Sequence, residues 1–171
     1  MEVIVEREKD HQKRFIVIDG SSLMYRAFFA LPLLTSSSGI YTNAIMGFAN
    51  MLGKILTEYK PDNIVVAFDK SRQTFRTQMY AEYKGQREKT PDELKSQIPL
   101  LREFLEALGI AFIEKDNYEA DDIIGTLATK AASQDYEALI VTGDKDALQL
   151  IRPNLKVMLT KRGIMDMQIF D

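Results

Sequence analysis

Ile64-Val65-Val66-Ala67-Phe68-Asp69 is a continuous apolar run closed by an acid. Five apolar residues in a row, with branched side chains in front, read as a strand buried on both faces of a parallel sheet. Similar runs lie on either side. Phe15-Ile16-Val17-Ile18 comes before it and is also closed by an acid, Asp19. Ile110-Ala111-Phe112-Ile113, Ala138-Leu139-Ile140-Val141 and Leu155-Lys156-Val157-Met158-Leu159 come after it. The last alternates and is expected at a sheet edge. Helical patterns separate the runs. Ala44 to Tyr59 and Ala120 to Ala132 each carry apolar residues at helical spacing. Thr90-Pro91-Asp92-Glu93 has the form of a capping box with Pro at the first helical position, opening a helix to Leu108 that Pro99 should kink. Alternating strands and helices predict an α/β fold with three α/β/α layers around a mainly parallel central sheet.

Composition narrows the chemistry. The 171 residues contain no cysteine, which removes disulfides and thiolate metal sites, and one histidine, His11, in a polar lead-in over residues 1–14. Any metal must therefore be held by oxygen. The lead-in mixes both charge signs and lacks the apolar core of an export signal, and no run is long enough to span a membrane, so a cytoplasmic location is expected. The net charge of −3 hides a segregation. Lys70 to Lys89 holds six basic residues against two acids; Glu114 to Asp122 holds five acids against one Lys.

The acids gather at strand ends. Asp19 and Asp69 directly follow the first two runs. Glu119, Asp121 and Asp122 open the helix after the third, and Asp144 and Asp146 follow the fourth, past Thr142-Gly143. In a parallel sheet those ends share one edge, where ligands bind. Seven crowded carboxylates repel one another unless a cation neutralises them, and oxygen ligands suit Mg²⁺ or Mn²⁺. Two such ions about 4 Å apart can activate water and stabilise a leaving oxygen in phosphodiester cleavage. The bland account of each acid is a helix cap, a turn residue or a solvated surface group. The basic stretch supplies a complementary feature. Arg72 and Arg76 lead into Tyr80, Tyr83, Lys84 and Arg87, which fall on one helical face; such groups bind phosphates and stack on bases. Tyr25 and Arg26 lie within reach of a phosphate near Asp19, although Tyr25 fits a core position equally well.

Several blocks resemble the 5′–3′ exonuclease domain of bacterial DNA polymerase I. They are Phe15 to Ala30, Gly39 to Phe48, Ala67-Phe68-Asp69, Thr74-Phe75-Arg76, Tyr83 to Arg87, Gly109 to Phe112, Tyr118-Glu119-Ala120-Asp121-Asp122-Ile123 and Val141 to Asp146, in family order. The resemblance implies a PIN-like (Rossmann-like) core that removes 5′ flaps and RNA primers from branched or nicked DNA, with a polymerase domain in the full-length parent. It assigns the seven acids to a site for two divalent ions, Lys84 and Arg87 to a basic arch at the scissile phosphate, and Arg76 to another phosphate contact. Family members continue into a helix–hairpin–helix region, preceded by further metal-site acids. This sequence stops at Gln168-Ile169-Phe170-Asp171, so the expectation is an incomplete domain with a weakened second metal site and a reduced hold on duplex DNA. Three other readings stay open: a non-catalytic DNA- or partner-binding module, a phospho-acceptor domain, and a small ribonuclease of the same fold.

Overall fold

The computed structural model describes residues 11–70, 90–161, 163 and 165–171. Among them is a six-stranded sheet of order β3-β2-β1-β4-β5-β6. The strands are β1 (Arg14–Asp19), β2 (Asn63–Ala67), β3 (Ala111–Ile113), β4 (Glu137–Thr142), β5 (Leu155–Thr160) and β6 (Met167–Phe170). All neighbours are parallel except β6 against β5. The first strand begins at Arg14, within the stretch read as lead-in; residues 1–10 lie outside the described residues.

The continuous apolar runs of β1, β2 and β4 behave as expected, whereas β3, at the sheet's edge, leaves Ala111 and Ile113 exposed. Ile16, Val17 and Ile18 are all fully buried, because both faces of the sheet are covered. Ile16 and Ile18 face a core shared with helices α1 (Gly20–Ala30), α2 (Asn43–Tyr59) and α4 (Ile98–Ala107). Val17 faces a second core under helix α5 (Ala120–Ser133) and a short 3-10 helix (Lys145–Leu150). The three α/β/α layers follow from this one-residue alternation. No helix among the described residues is long and apolar enough to cross a membrane.

Two local expectations are corrected. β5 is not an edge strand: it lies between β4 and β6, and five of its six residues are buried. Its alternation came from Lys156, which sits near the strand's start and pairs with Glu137 at 3.6 Å. The expected helix over 92–108 is two helices, α3 (Asp92–Lys95) and α4. Pro99 stands in the first turn of α4, where its missing N–H costs nothing. The cap of α3 is Pro91, with no side-chain cap bond, so the Thr90 capping box does not form. Gln97 occupies the break. Fully buried, it accepts from the backbone N–H of Ala44 (2.8 Å) and Ile45 (3.2 Å) and donates to Asn43 Oδ1 (2.9 Å), closing the start of α2.

The turn from β1 into α1 allows no side chain at Gly20. A Cβ there would lie 2.6 Å from both the Phe68 ring and Val66 Cγ1. Gly20→Ala is therefore expected to cost about 1–3 kcal/mol of stability, read by urea unfolding; an unchanged midpoint would show that the Phe68 ring moves aside freely.

Candidate metal centre

β1 lies between β2 and β4, so the chain leaves the sheet in two directions from adjacent strand ends. That crevice is where open parallel sheets bind ligands. Asp19, the last residue of β1, sits in it and is 4% exposed. Its Oδ1 accepts from Ser22 N (3.0 Å), capping α1, and its Oδ2 accepts from Thr142 Oγ1 (2.7 Å) at the end of β4. Burial raises the Asp19 carboxyl from 3.8 to about 7. The two hydrogen bonds oppose the rise, and the nearby Asp121 and Asp69 charges add to it. Among the described residues no Lys or Arg pairs with Asp19.

The other acids adjoin it through short links. Asp69 Oδ1 accepts from Ala120 N (2.6 Å) at the start of α5. Glu119, buried, and Asp122 cap that helix reciprocally: Asp122 Oδ2 accepts from Glu119 N (3.1 Å), and the Glu119 side chain accepts from the Asp122 amide. Asp144 Oδ1 accepts from Asp146 N (2.9 Å), opening the 3-10 helix, and Asp144 N donates to Thr142 Oγ1 (3.1 Å). Asp121, Asp122, Asp146 and Thr142 line a cleft of about 310 Å³ between α5 and the 3-10 helix. The structural use of these acids as caps is thus real for Asp19, Glu119, Asp122 and Asp144. A carboxylate offers about four lone-pair sites, so one capped amide does not exhaust it.

The edge fits a hard divalent cation in its chemistry. The donors are all oxygen, and a buried carboxyl without a cationic partner favours any positive charge brought to it. The geometry is looser: among the described residues no three acidic side chains already converge on one point as a cation site. The acids that could hold ions from this edge remain Asp19, Asp69, Glu119, Asp121, Asp122, Asp144 and Asp146.

Tyr25 is half-exposed on α1, and its ring meets that of the exposed Phe29 at a tilt, with centroids 4.7 Å apart; it is not a core residue. Arg26 donates to the Lys161 carbonyl oxygen. Arg72, Arg76, Tyr80, Tyr83, Lys84 and Arg87 lie outside the described residues. Sequence reasoning missed three hydroxyls. Ser21 Oγ accepts from Asp69 N (3.0 Å), Ser22 Oγ accepts from Gly143 N (2.9 Å), and Thr142 Oγ1 joins Asp19 to Asp144. The signal was present: hydroxyl residues flank the acids in Asp19-Gly20-Ser21-Ser22 and Thr142-Gly143-Asp144.

Residues 14–171 match the family described as the 5′-3′ exonuclease, N-terminal resolvase-like domain. The chain belongs to this family. The exonuclease-family domain is 52% identical to DNA polymerase I of Bacillus caldotenax over 157 residues, which are 92% of this chain and 18% of that protein. It is 48% identical to DNA polymerase I of Bacillus subtilis over 159 residues, 93% of this chain and 18% of that protein. The domain therefore spans under a fifth of the length of these relatives. In fold it is similar to T5 5′-exonuclease with bound divalent metal ions (TM-score 0.63, 15% identity, 86% of this chain and 55% of that one). It is also similar to the catalytic core of Rad2 in complex with DNA substrate (TM-score 0.53, 22% identity, 93% of this chain and 48% of that one).

Proposed function

We propose that this domain is the nuclease module of a DNA polymerase I type protein, a divalent-metal-dependent 5′–3′ exonuclease and 5′-flap endonuclease acting on branched or nicked DNA. The observation that carries the reading is the buried Asp19 at the crevice between β1 and β4, with the acids of three further loops around it, in a chain of this family. The names of the relatives and the metal- and DNA-bound neighbours in fold agree with it. Mg²⁺ or Mn²⁺, as two ions in the complete enzyme, would supply an activated water and charge stabilisation at the leaving oxygen.

The chain's own residues then have distinct tasks. Asp19, Glu119 and Asp144 are buried or half-buried and would hold ions directly. The half-buried Asp122 and the exposed Asp69, Asp121 and Asp146 would do so directly or through water. Lys84 and Arg87 would approach the scissile phosphate. Arg26, Arg72 and Arg76 would bind neighbouring phosphates, and Tyr25, Tyr80 and Tyr83 would stack on unpaired bases. RNA primers with a 5′ end fit the same chemistry, since the attack concerns only the phosphodiester.

The test is cleavage of a labelled 5′-flap duplex with Mg²⁺ or Mn²⁺, against an EDTA control, in this chain and in a form extended beyond Asp171. Metal-dependent release of the flap is expected. DNA binding without cleavage in the extended form, with no metal uptake by calorimetry, would favour a non-catalytic binding module instead.

A further inference from the structure

We propose that Ser21, Ser22 and Thr142 form a hydroxyl clamp that sets the spacing of the acid-bearing loops, making them positioning residues for the metal site; this rests on the function proposed above. Three hydroxyls make four hydrogen bonds; three of them join separate parts of the carboxyl edge, and the fourth holds the loop after β4 onto Thr142. Ser21 Oγ takes the amide of Asp69, 48 residues away, after β2. Ser22 Oγ takes the amide of Gly143, 121 residues away, after β4. Thr142 Oγ1, on a side chain 1% exposed, donates to Asp19 Oδ2 and accepts from Asp144 N, linking the acids of two strand ends through one atom.

Neither serine hydroxyl is needed for local structure, and Thr142 serves its own loop only through Asp144 N. Serines at a helix start usually cap that helix, yet α1 is already capped by Asp19, and both serines reach outward. At the end of β4 a branched apolar residue would suit a buried strand equally well. The fit is close: a Cβ on Gly143 would lie 2.7 Å from Ser22 Oγ, so the loop that carries Asp144 is pressed against α1. Because Asp19 caps α1, the helix's first turn is the common reference for Asp69, Asp144 and Asp19 itself. Groups that orient metal-holding side chains commonly change metal affinity or activity about 10–100-fold when removed.

The experiment is Mn²⁺ titration by calorimetry, paired with flap cleavage, on the unsubstituted chain and on Thr142→Val, Thr142→Ser, Ser21→Ala, Ser22→Ala and Leu105→Ala. Leu105 is a fully buried core residue of α4 that makes none of these hydrogen bonds, and its variant controls for general destabilisation. The expected result is Mn²⁺ affinity and kcat about 10-fold or more lower in Thr142→Val, smaller losses in the serine variants, and near-normal values in Thr142→Ser. KM for the flap duplex should hardly move, and folded Leu105→Ala should bind Mn²⁺ normally. Normal Mn²⁺ affinity in Thr142→Val and both serine variants would overturn the clamp, as would an equal loss in Leu105→Ala. If Thr142→Val does not fold, the two serine variants decide on the same criterion. A failure of the unsubstituted chain to take up Mn²⁺ would instead remove the metal-site reading itself, and the clamp with it.

Discussion

Asp19→Asn is expected to abolish metal-dependent cleavage while making the metal-free domain more stable at pH 8. The two effects have one source. Burial first, then the neighbouring Asp121 and Asp69 charges, raise the Asp19 carboxyl to about 7 in the folded chain, against 3.8 as its ordinary value. The folded form thus holds the proton more tightly than the unfolded form. Below about pH 4 both forms are protonated and the site costs nothing. Between about pH 4 and 7 the unfolded chain ionises while the folded chain does not, so stability falls as pH rises. Above about 7 the loss is complete, at most ~4 kcal/mol for a shift of this size. Asn has no charge to bury and keeps an acceptor for Ser22 N, but its amide fits Thr142 Oγ1 less well. The expected net gain at pH 8 is about 1–3 kcal/mol. At pH 4 the variant should be no more stable than the parent. Urea unfolding in EDTA at both pH values checks this. A stability difference between Asp19→Asn and the parent that is the same at pH 4 and pH 8 would contradict the buried-charge account. With Mn²⁺ present the order should reverse, because a cation that binds only the folded parent adds to its stability.

Asp144 separates the two uses of a strand-end acid. Its Oδ1 caps the 3-10 helix through Asp146 N, a role that Asn performs about as well as Asp. Asp144→Asn should therefore leave the unfolding midpoint nearly unchanged, and Asp144→Ala should cost about 1 kcal/mol. Both should lower flap cleavage by about 10²–10³-fold or more, because an amide or a methyl cannot hold a divalent ion as a carboxylate does. Cleavage that survives in Asp144→Asn would mean that the cap is the residue's whole purpose.

The sheet was legible because its strands are buried on both faces. Val65, Val66 and Ala67, or Ile16, Val17 and Ile18, have no solvent side and so no polar interruptions. β6 was not legible: it is only four residues, Met167 to Phe170, none of them fully buried, and it pairs only on one side, with β5. The break before α4 was placed at Pro99, but the deciding residue is Gln97. Its side-chain amide serves the start of α2, 53 residues away, which no local pattern reveals. The acids were legible because parallel strands bring their ends to one edge. The hydroxyls that tie those ends were not legible, since hydrogen bonds across 48 and 121 residues depend on the closed fold.

The most direct test is anomalous diffraction at the manganese edge from crystals of this domain soaked in Mn²⁺. A peak is expected in the crevice between β1 and β4, within direct or water-bridged reach of Asp19 and of Asp144 or Glu119. A map with no peak there, or with Mn²⁺ only on other surfaces, would contradict the claim that the sheet's carboxyl edge is a metal centre.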